Sequence, residues 1–382
     1  MQTFGCRSLH AVSFSVSLER AAHVLVACAL LVPAGCHDEA DPCETLAAEL
    51  DDTLAGTLAA EDRPGGTVAA VITPECGLWR GAVGTAGHGK PLTSEHLLRV
   101  GSVTKTYVSA TILSLVADNS LGLDDTLDNW QPEIPGADII TVRQLLDHTS
   151  GIFDYTSDED FLAAFLAAPP TAYSPAELVA MATAHPPYFA PGADWYYSNT
   201  NYILLGMIIE SVTGEPAVAA IRSRMLGPQS LDHTFLDGDE PMQGTLAHGF
   251  GPDGEDLTFA LHPSAAGTAG AVTATASDLA DWAMALYGGD VVSPELHDDM
   301  LALVDITKFL PGASYGLGVM AFDASVVGTP LIGHGGAIPG FRSEMYYLPD
   351  YDSVVVAIVN SEEADPFATL GALTERIMAH AP

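Results

Sequence analysis

Between Ser102 and Ala117 the chain carries a helical run that is apolar on nearly every side: Val103, Tyr107, Val108, Ile112, Leu113, Leu115 and Val116. A helix of that kind belongs inside a protein, with neighbours all around it. Yet its first turn holds Ser102 and Lys105, polar groups that are costly to bury unless partnered. The fold must therefore wrap further layers around this helix and leave an opening at its N-terminal end. With 382 residues, 48% of them hydrophobic, the chain can supply such a core, as one large domain or as two interlocked lobes.

The flanking patterns say what the layers are. Leu46, Leu50, Leu54 and Leu58 predict a helix from about Glu44 to Ala60. Thr67–Thr73 reads as a buried strand and Gly77–Val83 as its hairpin partner across Pro74-Glu75-Cys76. The Pro-rich middle shows helical spacing over Thr141–His148, Pro175–His185 and Asn201–Thr213. Beyond it, Ala276–Leu286 reads as a helix with Ser277 as N-cap. Gly316–Phe322, Tyr346–Leu348 and Val354–Asn360 read as strands, and Pro366–Ala379 as a closing helix. Sheet at both ends and helices between predict an α/β lobe, residues 47–125 and 255–382, interrupted by a helical lobe of residues 126–254.

Residues 1–35 read as an export signal: Arg7 and Arg20 precede an apolar run, Ala21–Val32, too short to span a bilayer. The Ala34-Gly35-Cys36 ending resembles a bacterial lipoprotein cleavage box, with Cys36 as the lipidated residue, although Pro33 stands where that pattern prefers an aliphatic side chain. The expectation is an exported protein, periplasmic or at the cell surface, touching membrane only through that lipid; a soluble exported protein is the alternative. Residues 36–46 would form a tether. Cys43 and Cys76 are an even pair in an oxidising compartment, which suggests one disulfide, the alternative being two free thiols. No CxxC or Cys/His cluster marks a metal, and no cofactor is expected. The balance of 49 carboxylates against 13 Lys and Arg, a formal charge of -36, excludes a phosphate backbone as natural partner.

Ser102-Val103-Thr104-Lys105 places a hydroxyl and an amine on one helical face, since residues three apart are neighbours. A serine hydroxyl is a weak nucleophile and needs a base at hand. The free N–H groups at a helix start offer a place for a developing oxyanion. With only three lysines in the chain, Lys90, Lys105 and Lys308, such a tetrad arises by chance about one time in five. Two segments further along the chain give it weight: Tyr197-Ser198-Asn199 before a helix, and His334-Gly335-Gly336 in a Gly-rich approach to a strand.

This ordered set, S-x-x-K, Y-x-N and H-x-G, resembles that of the penicillin-recognising serine hydrolases. The chain is similar to the D-alanyl-D-alanine carboxypeptidase and class C β-lactamase superfamily, most of all to carboxypeptidase-like members whose third motif begins with His. Arg99–Lys105, Leu121–Asp125, Leu145–Gly151, Phe189–Gly192, Tyr202–Gly214 and Gly333–Phe341 all look like family landmarks. The resemblance implies a β-lactamase/transpeptidase-like fold, an antiparallel sheet flanked by helices with an inserted helical lobe. It implies Ser102 as the acylated nucleophile, with Lys105 lowering the pKa of its neighbours. Tyr197 would be the general base, its phenolate favoured by nearby cations, or Lys105 itself would take the proton. Asn199 would bind the substrate's acyl-side amide, His334 and Gly336 would line the cleft, and the N–H groups of Ser102 and Ala337 would form the oxyanion hole. The partner is then a small-molecule or peptide acyl substrate, such as a cell-wall peptide.

One departure bears on substrate. Carboxypeptidases of this family often carry hydroxyls around the third motif to bind a terminal carboxylate; here Gly335 and Ala337 offer none, and the nearby Arg342 is the candidate cation for that carboxylate, the alternative being a surface or structural arginine. The expected activity is a D-alanyl-D-alanine carboxypeptidase-like peptidase. The alternatives are an esterase, amidase or β-lactamase on the same fold, or a slowly deacylating penicillin-binding sensor. His148 reads as a structural hydrogen-bonder, and the remaining histidines show no metal-ligand spacing.

Overall fold

The computed structural model describes residues 41–59, 64–167 and 170–381. The expected signal segment, Cys36 and the first part of the expected tether lie outside the described residues. Five long strands make the frame: β1 (Gly66–Thr73), β2 (Gly77–Gly87), β3 (Leu331–Ile338), β4 (Phe341–Leu348) and β5 (Ser353–Val359). They form an antiparallel sheet in the order β2-β1-β5-β4-β3, extended past β2 by Lys90–Pro91 and past β3 by Met320–Phe322, Ala313–Tyr315 and Val304–Asp305. An early and a late strand thus meet at the centre, where Thr67 lies opposite Val359 and Ile72 opposite Val354.

Both faces of this sheet are covered, which is why its central strands read as unbroken apolar runs. Ala69, Val71 and Val355 face one layer, formed by helix α1 (Pro42–Ala59) and the C-terminal helix Pro366–His380. Leu46, Leu50 and Leu54 of α1 are buried there beside Leu370, Leu373 and Ile377; each such leucine contributes on the order of 1.5–3 kcal/mol of burial. Val68, Ala70, Val354, Val356 and Ile358 face the opposite way, into a core shared with the serine helix α2 (Thr104–Ala117) and the helix Ala276–Tyr287. The same core continues through Leu145, Leu204 and Ile208 of the middle section.

The serine helix is enclosed as its sequence demands. Tyr107, Val108, Ile112 and Leu113 are fully buried. The Tyr107 ring stacks on Trp282 at 4.4 Å, and the Trp282 indole donates to Thr106 Oγ1 at 2.8 Å. No single helix among the described residues is long and apolar enough to cross a membrane.

Four local expectations are corrected. Helix α1 begins at Pro42, so the tether expected to reach residue 46 stops short: Asp41 accepts from the Cys43 N–H, and Pro is well suited to the first helical turn. The helix at 276–287 is capped by Thr275, whose hydroxyl accepts from the Asp278 N–H at 3.2 Å, and not by Ser277. Thr234–Leu236, inside the stretch expected to be helical, is a strand; it pairs with Val272–Ala274, which also pairs with Leu98–Arg99. The helix expected from Asn201 starts at Asn199, which matters for the site.

Cys43 and Cys76 are disulfide-bonded, tying the first turn of α1 to the β1–β2 turn across 33 residues of sequence. By loop-closure entropy, replacing both cysteines with serine should cost ~3–4 kcal/mol. Urea unfolding of the double variant would read this as a lower midpoint with a somewhat steeper slope, since the denatured chain expands once the loop is opened, and an unmoved midpoint would mean that α1 is held by its leucines alone.

Candidate active site

The chain turns sharply before the serine helix. Gly101–Val103 forms a short 3-10 turn leading into α2, so Ser102 precedes the α-helix proper rather than opening it. Gly101 has φ +50°, and a Cβ there would lie 2.7 Å from the Ala337 backbone nitrogen. A Cβ on Gly336 would lie 2.0 Å from the Val100 carbonyl oxygen and 3.0 Å from the Ser102 nitrogen. Two glycines facing each other therefore let strand β3 and the nucleophile turn touch backbone to backbone. Ser343 secures the junction by donating to the Val100 carbonyl at 2.8 Å.

The hairpin register directs the Ala337 N–H. β3 and β4 close on Pro339-Gly340 with Ile338 opposite Phe341 and Ala337 opposite Arg342. In an antiparallel ladder, bonded and non-bonded pairs alternate from such a turn, which puts Ala337 at a non-bonded pair. Its N–H faces away from β4, towards the turn bearing Ser102.

Lys105 is fully buried. Its Nζ lies 3.0 Å from Ser102 Oγ, 2.8 Å from Asn199 Oδ1 and 2.7 Å from the Ala269 carbonyl oxygen. As an ammonium it has three protons for three oxygens; as a neutral amine its lone pair faces the serine. Burial holds its pKa down at about 7, against the charge of Asp154, which raises it. The Tyr197 ring lies 4.8 Å from Nζ.

Tyr197 is half-buried, with its hydroxyl beside the Ser102 side chain. The expectation that nearby cations favour its phenolate is overturned. Burial is the largest influence on this group and pushes its pKa well up; the bond to Ser102 pulls the other way, and the Asp154 charge adds to the rise. The neutral phenol is the resting form.

Asn199 opens the helix Asn199–Thr213. Its Oδ1 is taken by Lys105, and its Nδ2 reaches Asp154 Oδ2 at 3.3 Å and Thr156 Oγ1 at 3.4 Å. This amide is held between Asp154 and Lys105, and Asn199 also lines one of the hollows beside Ser102. Asp154 also accepts the Asn199 backbone N–H at 3.1 Å, so it caps the helix that Ser198 leaves without a side-chain cap. Nothing in the sequence marked Asp154, because a loop brings it in from 45 residues away.

His148 carries the turn from beneath. It sits at φ +64°, and its Nδ1 accepts from the Ser198 N–H and lies 3.2 Å from Asn201 Nδ2. Its ring is 4.3 Å from that of Tyr197. This is the structural role expected of it, now with a partner. The loops of two sequence landmarks interlock alongside: Tyr188 N–H donates to the Gly151 carbonyl and Gly192 N–H to that of Thr149. His334 is buried on β3, with Nε2 2.9 Å from the Tyr315 hydroxyl. Burial, followed by the Lys105 charge, lowers its pKa to about 3, so it is neutral. Arg99, ahead of the serine turn, is structural: it forms a buried ion pair with Asp237 at 2.8 Å.

Ser102 borders two hollows. One, of about 300 Å³, is lined by apolar groups including Phe161, Leu162, Leu261 and Ala265. The other, of about 580 Å³, runs past Tyr197 and His334 to Arg342, Glu344 and Asp365. Ser102, Lys105, Tyr197, Asn199, His334, Gly336 and Ala337 are thus brought together, Arg342 stands exposed further along, and Cys43 and Cys76 belong to the disulfide described above. His88, His248 and Asp256 also gather, with ligand-type atoms within 4.8 Å of one another; their separation in sequence hides the grouping from any spacing rule.

Residues 50–377 match the family model described as Beta-lactamase. Penicillin-binding protein 4* of Bacillus subtilis (strain 168) is 26% identical over 72% of this chain, which spans 63% of that protein's length. Among solved structures, a D-stereospecific amidohydrolase from Streptomyces sp. has 32% identity and a TM-score of 0.75, covering 87% of this chain and 98% of its own. The D-amino acid amidase from Ochrobactrum anthropi SV3, complexed with D-phenylalanine, has 25% identity and a TM-score of 0.79, covering 88% and 99%.

Proposed function

Because the chain belongs to the Beta-lactamase family and is a serine hydrolase of that kind, we propose that it cleaves amide bonds of D-amino-acid derivatives through an acyl-enzyme on Ser102. The observation that carries this reading is the fully buried Lys105 amine, within hydrogen-bonding distance of the Ser102 hydroxyl and near neutrality at physiological pH. Ser102 Oγ attacks the carbonyl carbon while its proton passes to the neutral Lys105 amine. The oxyanion is received by the N–H groups of Ser102 and Ala337. The C–N bond then breaks, and the departing nitrogen takes a proton delivered from Lys105 through the Tyr197 hydroxyl. Water repeats the sequence on the ester and restores Ser102.

Amides of D-amino acids are favoured over carboxypeptidase substrates on two grounds. The amidohydrolase and amidase similarities extend over nearly all of both chains. In addition, Gly335 and Ala337 withhold the hydroxyls that a terminal carboxylate would use. A carboxypeptidase acting on cell-wall peptides is the second reading, favoured by the penicillin-binding relative. Export by residues 1–35, with a lipid on Cys36, belongs to the same proposal; detergent-phase partitioning lost in Cys36→Ser would support the lipid.

The test is a panel of D-phenylalanine amide, L-phenylalanine amide, an acyl-D-Ala-D-Ala peptide and a short-chain ester. The D-amide should exceed the L-amide in kcat/KM by roughly 100-fold or more, since a misplaced scissile group loses near-attack geometry. Fastest release of D-Ala from the peptide would hand the assignment to the carboxypeptidase reading.

A further inference from the structure

The larger hollow carries a group that acyl transfer leaves unused. Glu344 of β4 lies opposite Gly335 in the hairpin register. Its carboxylate fills the room that a side chain at 335 would need: a Cβ on Gly335 would lie 2.7 Å from Oε2. The glycine that removes a hydroxyl from the third motif thereby uncovers a carboxyl group, in the same cavity wall as Ser102 and His334. Asp365 lines this wall too, and its carboxylate is already committed to the Phe367 and Ala368 N–H groups. Arg342 stands on the same strand face, two residues from Glu344, but is exposed.

We infer that Glu344 sets the charge preference of this half of the cleft, so that it takes leaving groups bearing an ammonium and rejects those ending in a carboxylate. The inference rests on the acyl-transfer reading above and deepens it to a substrate class: amides whose departing amine carries a second, protonated amine. Burial, then the neighbouring Asp365 charge, holds the Glu344 carboxyl up at about 8; a hydrogen bond with Tyr346 and the Arg342 charge oppose this. An arriving ammonium stabilises the ionised carboxylate and releases its proton to solvent, whereas an arriving carboxylate gains nothing from Glu344 and faces Asp365, offset only by the exposed Arg342. The formal charge of -36 draws cations to the surface in the same sense.

Three substrates sharing one acyl group test this: its amides with D-alanine, with D-alaninamide and with 1,2-diaminoethane, which end in a carboxylate, a neutral amide and an ammonium. In the unmodified protein kcat/KM should rise in that order. In Glu344→Gln the ammonium substrate should lose ~10–100-fold, mainly through KM, as when one partner of a buried charge pair is removed. The neutral amide should stay within about twofold and the carboxylate substrate should gain severalfold, giving a changed order rather than a uniform loss. Equal changes on all three substrates, or a flat order in the unmodified protein while the neutral amide is hydrolysed, would overturn the inference and leave acyl transfer standing. Failure of the unmodified protein to hydrolyse any of the three, together with absence of fluorophosphonate labelling at Ser102, would instead overturn the reading beneath it. The order in the unmodified protein decides the matter even where Glu344→Gln fails to fold.

Discussion

Ser102→Ala is expected to lose all covalent labelling by fluorophosphonate or fluorescent penicillin and to hydrolyse its best substrate at least ~10⁴-fold more slowly. The substitution removes only an oxygen from a partly buried turn, so the fold should survive. Gly101 and Gly336 still hold the backbone contact, and Lys105 keeps two of its three acceptors, Asn199 Oδ1 and the Ala269 carbonyl. Intact mass after incubation with substrate would show an acyl adduct on the parent protein and none on the variant. Undiminished labelling of the variant would remove the nucleophile from this site.

The second large effect concerns protons. With its pKa held at about 7 by burial, Lys105 is charged and useless as a base at pH 5 and mostly neutral at pH 8. The rate constant kcat/KM should climb about tenfold per pH unit below 7 and level off above it. Lys105→Arg keeps a cation but cannot give up its proton, so activity should fall by ~10³-fold or more and the acid limb should disappear. An acid limb near pH 7 surviving in the residual activity of that variant would point to another base. Stability should follow the same group. Its folded pKa lies below the ordinary 10.5, so between about pH 7 and 10.5 the unfolded chain binds more protons and stability rises with pH. Below pH 7 the cost of burying the charge is full.

How much of this could be read from the sequence depends on how far apart the cooperating residues lie. Ser102 and Lys105 were legible because one helical turn fixes their relation, and the Leu46, Leu50 and Leu54 stripe because one helix face does. The central strands were legible from Thr67–Ile72 and Val354–Val359, which lie buried on both faces. Tyr197, Asn199 and His334 became legible only through the order of the motifs, since no local rule brings them to Ser102. Asp154, Tyr315 and Glu344 were not legible at all. Each reaches the site through tertiary contacts: a loop cap on a distant helix, a short strand two places from β3 in the sheet, and a hairpin register opposite a glycine. The short strand Thr234–Leu236 was missed for a different reason, since three residues are too few to show a period. The protonation of Tyr197 was misjudged because residue types near one another suggest attraction, while burial, which opposes charge, is visible only in three dimensions.

The two hollows that meet at Ser102 impose an order of events. In the reaction proposed above, the departing fragment leaves through the hollow lined by Arg342 and Glu344 while the acyl fragment stays against Phe161, Leu162 and Leu261. The vacated side then gives water its route to the ester. Substrates that share an acyl group converge on one common intermediate, whose lifetime no longer remembers what left. A second amine able to occupy that vacated space would compete with water for the same carbon, and the hydrolase would then work as a transferase.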